Sequence, residues 1–169
     1  PDANDPDSLK GPAGQDEVNQ AKKAGNFGWP YFVGNNKNYN HFDFAVNKSR
    51  EKFDVSKPIN SPPNNTGLKE LPPAQNAFIW YPYGESKEFP LVGSGGRNAM
   101  AGPVFHSNRF TTAPPAFPKY YDGKLLIYEW MRGWIMAVTL DKDGNYASME
   151  RFMPSYKFSN PMDMAFADN

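Results

Sequence analysis

Residues 11–34, GPAGQDEVNQAKKAGNFGWPYFVG, constrain this chain more than any other stretch. A turn dipeptide, an acidic pair and a glycine-aromatic-proline corner follow one another within one short segment. Gly11-Pro12 is a turn whose carbonyls a regular ladder cannot all take up, and Asp16-Glu17 adds two carboxylates a few residues later. Backbone carbonyls beside carboxylates are the ligands that a hard cation such as calcium takes. Val18 and Asn19 lead into a more regular segment. Gly25-Asn26 and Gly28 then flank Phe27, Trp29 and Pro30 in a corner where large rings are expected to pack against bare backbone. A surface turn followed by a core corner is the plainer reading of the same spacing, because short acidic motifs recur without binding anything.

The turn-rich character extends beyond this segment. With 17 Pro, 14 Gly and 15% aromatic residues, the chain is rich in turns and rigid anchors and poor in helix formers, which favours an all-β scaffold with long decorated loops. Its 169 residues suit one domain with one core, burying roughly 70% of the unfolded surface if compact. Lys plus Arg and Asp plus Glu stand at 18 each, so no net field draws nucleic acid or an anionic membrane surface. No stretch approaches the ~20 apolar residues of a membrane span, and the opening PDANDPDSLKG lacks the features of a signal peptide. The absence of cysteine removes disulfides, thiolate chemistry and cysteine-ligated zinc.

Along the chain, residues 1–34 form an opening loop, a short strand or turn at 16–20 and the GNFGWP corner. Residues 35–76 hold NNKNYN, SKPINSPPNNTG and LPPA, show almost no apolar periodicity, and are expected to be a long structureless loop or insertion. Strands are predicted at Ala77–Pro82, Ala101–His106, Lys124–Trp130, Gly133–Leu140 and Tyr146–Phe152, with another starting at Asp163–Ala167. The four from 101 to 152, joined by a long loop, a tight Met131-Arg132 turn and the DKDGN turn of 141–145, make one four-stranded antiparallel blade. DKDGN resembles part of a calcium loop but lacks its distal glutamate, so a hairpin turn with Gly144 in the left-handed position is the expectation.

The segment 11–34 resembles the soluble quinoprotein glucose dehydrogenase and glucose/sorbosone dehydrogenase family. There a GP-x(3)-DE-[IV]-N stretch, a basic spacer and GN-[FY]-GWP-x(3)-G occur in this order. The matching residues are Gly11, Pro12, Asp16, Glu17, Val18 and Asn19, then Gly25, Asn26, Phe27, Gly28, Trp29, Pro30 and Gly34. Residues 124–144, KLLIYEWMRGWIMAVTLDKDG, look like the late hairpin of the same propeller, with weaker agreement at 78–83 and 161–169. The resemblance implies a partial β-propeller of roughly two to three blades from a six-bladed parent, the chain covering about its second half. It also implies an aldose or related sugar as substrate, pyrroloquinoline quinone (PQQ) and calcium as cofactors, and a periplasmic or extracellular location. By the same resemblance the Gly11 and Pro12 carbonyls are calcium ligands near the quinone, and Asp16, Glu17 and the Phe27 carbonyl form a structural calcium site. The family's catalytic histidine and an Arg-Asn pair belong to earlier blades, so no catalytic residue is assigned here; His41 and His106 stand at other positions.

Two departures weigh against cofactor binding. Where the family carries a Lys-Arg pair this chain has Met131-Arg132, and where it carries Arg-x-Arg-Asp this chain has Asn160-Pro161-Met162-Asp163. A quinone tricarboxylate needs charge-assisted partners, which leaves Arg132, with Arg97 and Asn98 of the glycine-rich loop, as candidate cofactor contacts. Arg97 reads equally as a loop arginine in solvent. Glu129, Trp130 and Trp134, with Arg132 and Tyr128 close in sequence, are either a sugar-binding rim or packing between blades. The alternative function is therefore a non-catalytic carbohydrate-binding propeller. Besides sugar and the remainder of the propeller, the open faces of an unclosed ring predict a second copy as partner, burying more than ~1,000 Å².

Overall fold

The computed structural model describes residues 7–110 and 117–167. Apart from one helical turn, α1 (Asp7–Lys10), and short 3-10 turns, its regular structure is all β, distributed over several small open sheets. The chain divides into two compact units, Pro1–Tyr83 and Gly84–Asn169.

In the first unit, β1 (Asp16–Val18) pairs antiparallel with β6 (Ile79–Tyr81), with Val18 opposite Ile79 and Glu17 opposite Trp80. Two hairpins lie between them: β2 (Phe32–Val33) with β3 (Lys37–Asn38), and β4 (Asn40–Asp43) with β5 (Lys48–Lys52). Val18, Phe32, Val33, Ile79 and Tyr81 are buried and make the core.

The structureless loop expected over 35–76 is thus corrected, since β3, β4 and β5 all lie in it. Its turns rely on asparagine, the non-glycine residue that best tolerates the left-handed region: Asn36 at φ 59° and Asn47 at φ 51°. β5, KSREK, is exposed along nearly its whole length and carries no apolar alternation, so the sequence pattern gives no strand signal there.

The second unit is a four-stranded antiparallel meander, β7 (Ala99–Val104), β8 (Leu125–Glu129), β9 (Trp134–Leu140) and β10 (Tyr146–Phe152), paired in chain order as expected. The two central strands are buried on both faces, while β7 at the edge carries Pro103 beside a register shift, where a missing donor costs no ladder bond. Both expected turns are present. Gly133, at φ 62°, donates to Glu129 O at 3.0 Å, and Gly144, at φ 76°, donates to Asp141 O at 3.0 Å. The Asp141 carboxylate accepts the N–H groups of Asp143 and Asn145, which makes DKDGN an Asx-type turn.

Beyond β10 the expected strand at 163–167 is absent. The backbone there finds isolated partners: Phe158 N–H donates to Gly133 O, Met162 O accepts from the Tyr128 hydroxyl, and Asp163 caps Met164 N–H. Pro161 has no N–H to offer a ladder. Phe166 then packs against Phe105, Phe110 and Phe117, closing the core at that end.

Lys124, just before β8, reaches the Glu150 carboxylate on β10, to which the Tyr120 hydroxyl also donates. The Lys124 ammonium, helped by that hydroxyl and against partial desolvation, holds the Glu150 carboxyl below its ordinary range. Desolvation pulls Lys124 down, but Glu150 and Tyr120 outweigh it and leave its pKa raised.

Two outcomes are expected. Gly133→Ala would press a Cβ into the Phe158 carbonyl at a positive φ, whereas Gly123→Ala has a similar φ of 75° and open space. Urea unfolding should show the Gly133 variant less stable than the Gly123 variant by about 1–2 kcal/mol, and equal midpoints would refute the steric reading. For the ion pair, the depressed Glu150 pKa stabilises fully above the unfolded value near 4.3 and is lost as pH falls through the folded value. The raised Lys124 pKa keeps its contribution until pH rises through that value. Between pH 6 and pH 3 the wild type should lose more stability than Glu150→Gln, by no more than about 1 kcal/mol because the carboxylate is 40% exposed and screened.

Candidate functional site

At the β8–β9 turn, Glu129 ends a strand that is buried on both faces and is itself wholly buried. Its carboxylate accepts two backbone N–H groups, from Asn98 and from Arg132 (2.6 Å), which satisfies a charge that would otherwise be costly to bury. Arg132 leaves the same turn and enters a cage of carbonyls. Its Nε donates to Gly96 O at 3.0 Å, one terminal nitrogen to Val92 O and Gly93 O at 3.1 and 2.8 Å, and the other to Gly95 O at 3.0 Å. Four of the five N–H donors of a guanidinium therefore hold one loop. The Trp134 indole N–H joins them on Val92 O at 2.9 Å. Arg151 lies 5.7 Å from the Trp134 ring and donates to Leu91 O, its pKa lowered by burial and by the neighbouring Arg132 charge.

The residues singled out here thus come together, but mainly around their own backbone. Trp134 is 2% exposed and Arg132 is largely engaged. Trp130 is half-buried, with its carbonyl taken by Asn160. Arg97 is half-buried and Asn98 exposed, with the Asn98 N–H on Glu129. Met131, in place of the resembling family's lysine, is 50% exposed.

In the first unit, Gly11 sits at φ 111° against the Tyr39 backbone, and Pro12 borders a cavity of about 270 Å³ with Lys37, Asn38 and Lys52. Asp16 and Glu17 are neighbours on β1, so their side chains leave on opposite faces. Glu17 shares its face with Gln15 above Gly34. It accepts the Gly34 N–H on one oxygen and the Asn19 amide, at 3.1 Å, on the other. Phe27 lies in a corner fixed by Asn26, whose side chain accepts from Gly28 N–H at 2.9 Å and donates to Pro72 O at 3.0 Å.

Among the described residues no three His, Cys, Asp or Glu side chains converge. Pro12 has lysines for neighbours and Glu17 is occupied by protein donors, so these residues do not fit a calcium cage. Because Arg132 is engaged by four carbonyls, the hairpin does not fit a quinone carboxylate clamp either.

A cleft of about 600 Å³ in the first unit was not among the expectations from sequence. Gly28 O accepts the N–H groups of Tyr31 and Phe32 at 2.8 and 3.0 Å, closing the turn that carries the cis Trp29–Pro30 peptide. The expectation that Trp29 packs into a core corner is corrected. Gly28 is buried, but the Trp29 ring is 82% exposed along the cleft, because the turn aims it away from the backbone that Phe32 covers. Across from it, the β4–β5 hairpin supplies Phe42 and Phe44, with ring centroids 4.9 Å apart. The floor is a stack of His41, Phe53 and Tyr31 at 3.7 and 4.2 Å, anchored by the Tyr31 hydroxyl on Asn60 at 2.8 Å. Burial raises the Tyr31 pKa. Phe42 lies on β4 and Phe44 in the turn after it, so no strand alternation in the sequence announces this wall.

A family model described as Glucose / Sorbosone dehydrogenase matches residues 7–66. That segment contains the whole Gly11-to-Gly34 motif and every residue lining the larger cleft, so the resemblance read from the motif is borne out there. No curated protein and no solved structure matches the chain.

Removing the guanidinium tests whether it organises the glycine-rich loop. Arg132→Met should leave four carbonyls without their charged donor and cost about 2–4 kcal/mol, with Arg132→Lys, which has three donors, in between. Hydrogen exchange at the Trp134 indole N–H should accelerate in the same order. A Met variant as stable as the wild type, with unchanged indole exchange, would show the cage to be incidental.

Proposed function

We propose that this chain is part of a sugar dehydrogenase-like protein built on a β-propeller, with an aldose or a related sugar as substrate. The observation that carries this reading is the Glucose / Sorbosone dehydrogenase match over residues 7–66, coincident with the Gly-Pro, Asp-Glu-Val-Asn and Gly-Asn-Phe-Gly-Trp-Pro series. The β7–β10 meander supports the propeller, since central strands buried on both faces are what a blade requires. No helix among the described residues is long and apolar enough to cross a membrane. A periplasmic or extracellular location fits the substrate class and belongs to the same proposal.

The redox half of the reaction is not assigned to this chain. PQQ and calcium are what the resemblance implies, yet the donor sets around Pro12, Glu17 and Arg132 do not suit them, and neither His41 nor His106 is given the role of base. These same observations favour a second reading, a carbohydrate-binding propeller that has kept the scaffold and lost the cofactor cations: Met131, Asn160 and Met162 stand where cations are expected, and Arg132 holds the 92–96 loop.

Reconstitution separates the two readings. The full-length parent incubated with PQQ and calcium should reduce an artificial dye on addition of aldoses, whereas the 169-residue chain alone should not. Absence of dye reduction by a reconstituted, folded parent would favour the binding protein, and turnover by the chain alone would show that a base and a quinone clamp lie within it after all.

A further inference from the structure

The cleft of the first unit joins two features that a protein core avoids. Trp29 is 82% and Phe44 80% exposed, on separate loops, over a concave floor. Exposed aromatic rings framing a cavity of this size, within the range of about 300–1,000 Å³ usual for ligand pockets, mark a binding site rather than incidental surface. Its chemistry is two-sided. The rings of Trp29 and Phe44 offer flat apolar surface, while His41 and Lys10 bring polar groups to the same walls. Lys10, whose ammonium stands 5.3 Å from the Phe42 ring, is the one lining residue of fixed charge.

A ligand complementary to these walls has apolar faces to lay on rings, hydrogen-bonding groups around its edge and no net charge. A pyranose has that form: axial C–H groups make its faces apolar and its hydroxyls make its rim polar. An apolar protein segment would instead bury His41 and Lys10 without recompense, and an anion would find only one cation among the lining residues. The cavity, at about 600 Å³, also exceeds what one hexose ring fills.

We propose that this cleft binds a neutral saccharide of two or more pyranose units, stacked on Trp29 and Phe44 and hydrogen-bonded to His41. The proposal rests on the sugar dehydrogenase-like reading for its ligand class and adds to it a subsite built wholly within residues 10–53. No bond is made or broken there; the site holds substrate.

Titration of the 169-residue chain with glucose, maltose and cellobiose, followed by the Trp29 indole resonance and by calorimetry, tests it. The disaccharides should bind more tightly than glucose. Trp29→Ala should weaken them tenfold or more and Phe44→Ala several-fold, while Trp29→Phe stays within about threefold, since a face remains. Trp29 is exposed, so its replacement leaves the core intact, and unfolding midpoints check this. No indole shift at about 10 mM saccharide, well above usual KM values, would overturn the proposal, as would binding that survives Trp29→Ala and Phe44→Ala unchanged. Light scattering on the same samples completes the test: a dimer that Trp29→Ala dissociates, without saccharide binding, assigns the cleft to a second copy and overturns it too. Dye reduction by the parent is scored separately, so loss of binding with turnover intact sinks the subsite alone, and binding without turnover sinks the dehydrogenase reading alone.

Discussion

Ladders in this chain run from two to seven residues, so regular pairing leaves many backbone N–H and C=O groups for other partners to satisfy. Side chains take up that work throughout. Arg132 serves four carbonyls of one loop, Glu129 two buried N–H groups, Glu17 the Gly34 N–H and Asp141 the turn after β9. Asparagine does the same in the first unit, where Asn26, Asn36 and Asn38 each donate to a carbonyl far away in sequence. A buried amide or carbonyl without a partner costs on the order of 1–3 kcal/mol, so these contacts decide which loops hold a single conformation.

This constraint also governs function. A cation or carboxylate that closes a loop has fewer donors and acceptors left for a ligand. Arg132 and Glu17, both candidates for cofactor or metal contacts from sequence, are the clearest cases, one caged by carbonyls and the other occupied by Gly34 and Asn19. The aromatic cleft is built differently. Its rings are positioned by stacking of His41, Phe53 and Tyr31 and by one hydroxyl-to-amide bond, which leaves the faces of Trp29 and Phe44 uncovered.

The Lys124, Glu150 and Tyr120 cluster, with Lys124 3.8 Å from the Tyr120 ring, shows the same economy beside the β7–β10 sheet. Its groups hold the segment that enters β8 to strand β10. Because they are partly exposed, their contribution is modest and depends on pH and salt.

Local pattern carried the β7–β10 meander: apolar alternation in LLIYEW and WIMAVTL, a Gly133 turn and an Asp-Lys-Asp-Gly turn are each decided within a few residues. The family likeness within residues 7–66 was equally readable, because motif order is a one-dimensional property. The hairpins at 35–76 were not, since β5 faces water without apolar alternation and their turns place asparagine at positive φ. Nor did the chain's letters reveal whether Trp29 turns toward the core or the cleft, whether Asp16 and Glu17 converge, or what Arg132 holds. Those outcomes depend on which backbone groups and rings the folded chain brings within a few ångströms, and only the tertiary structure decides that distance.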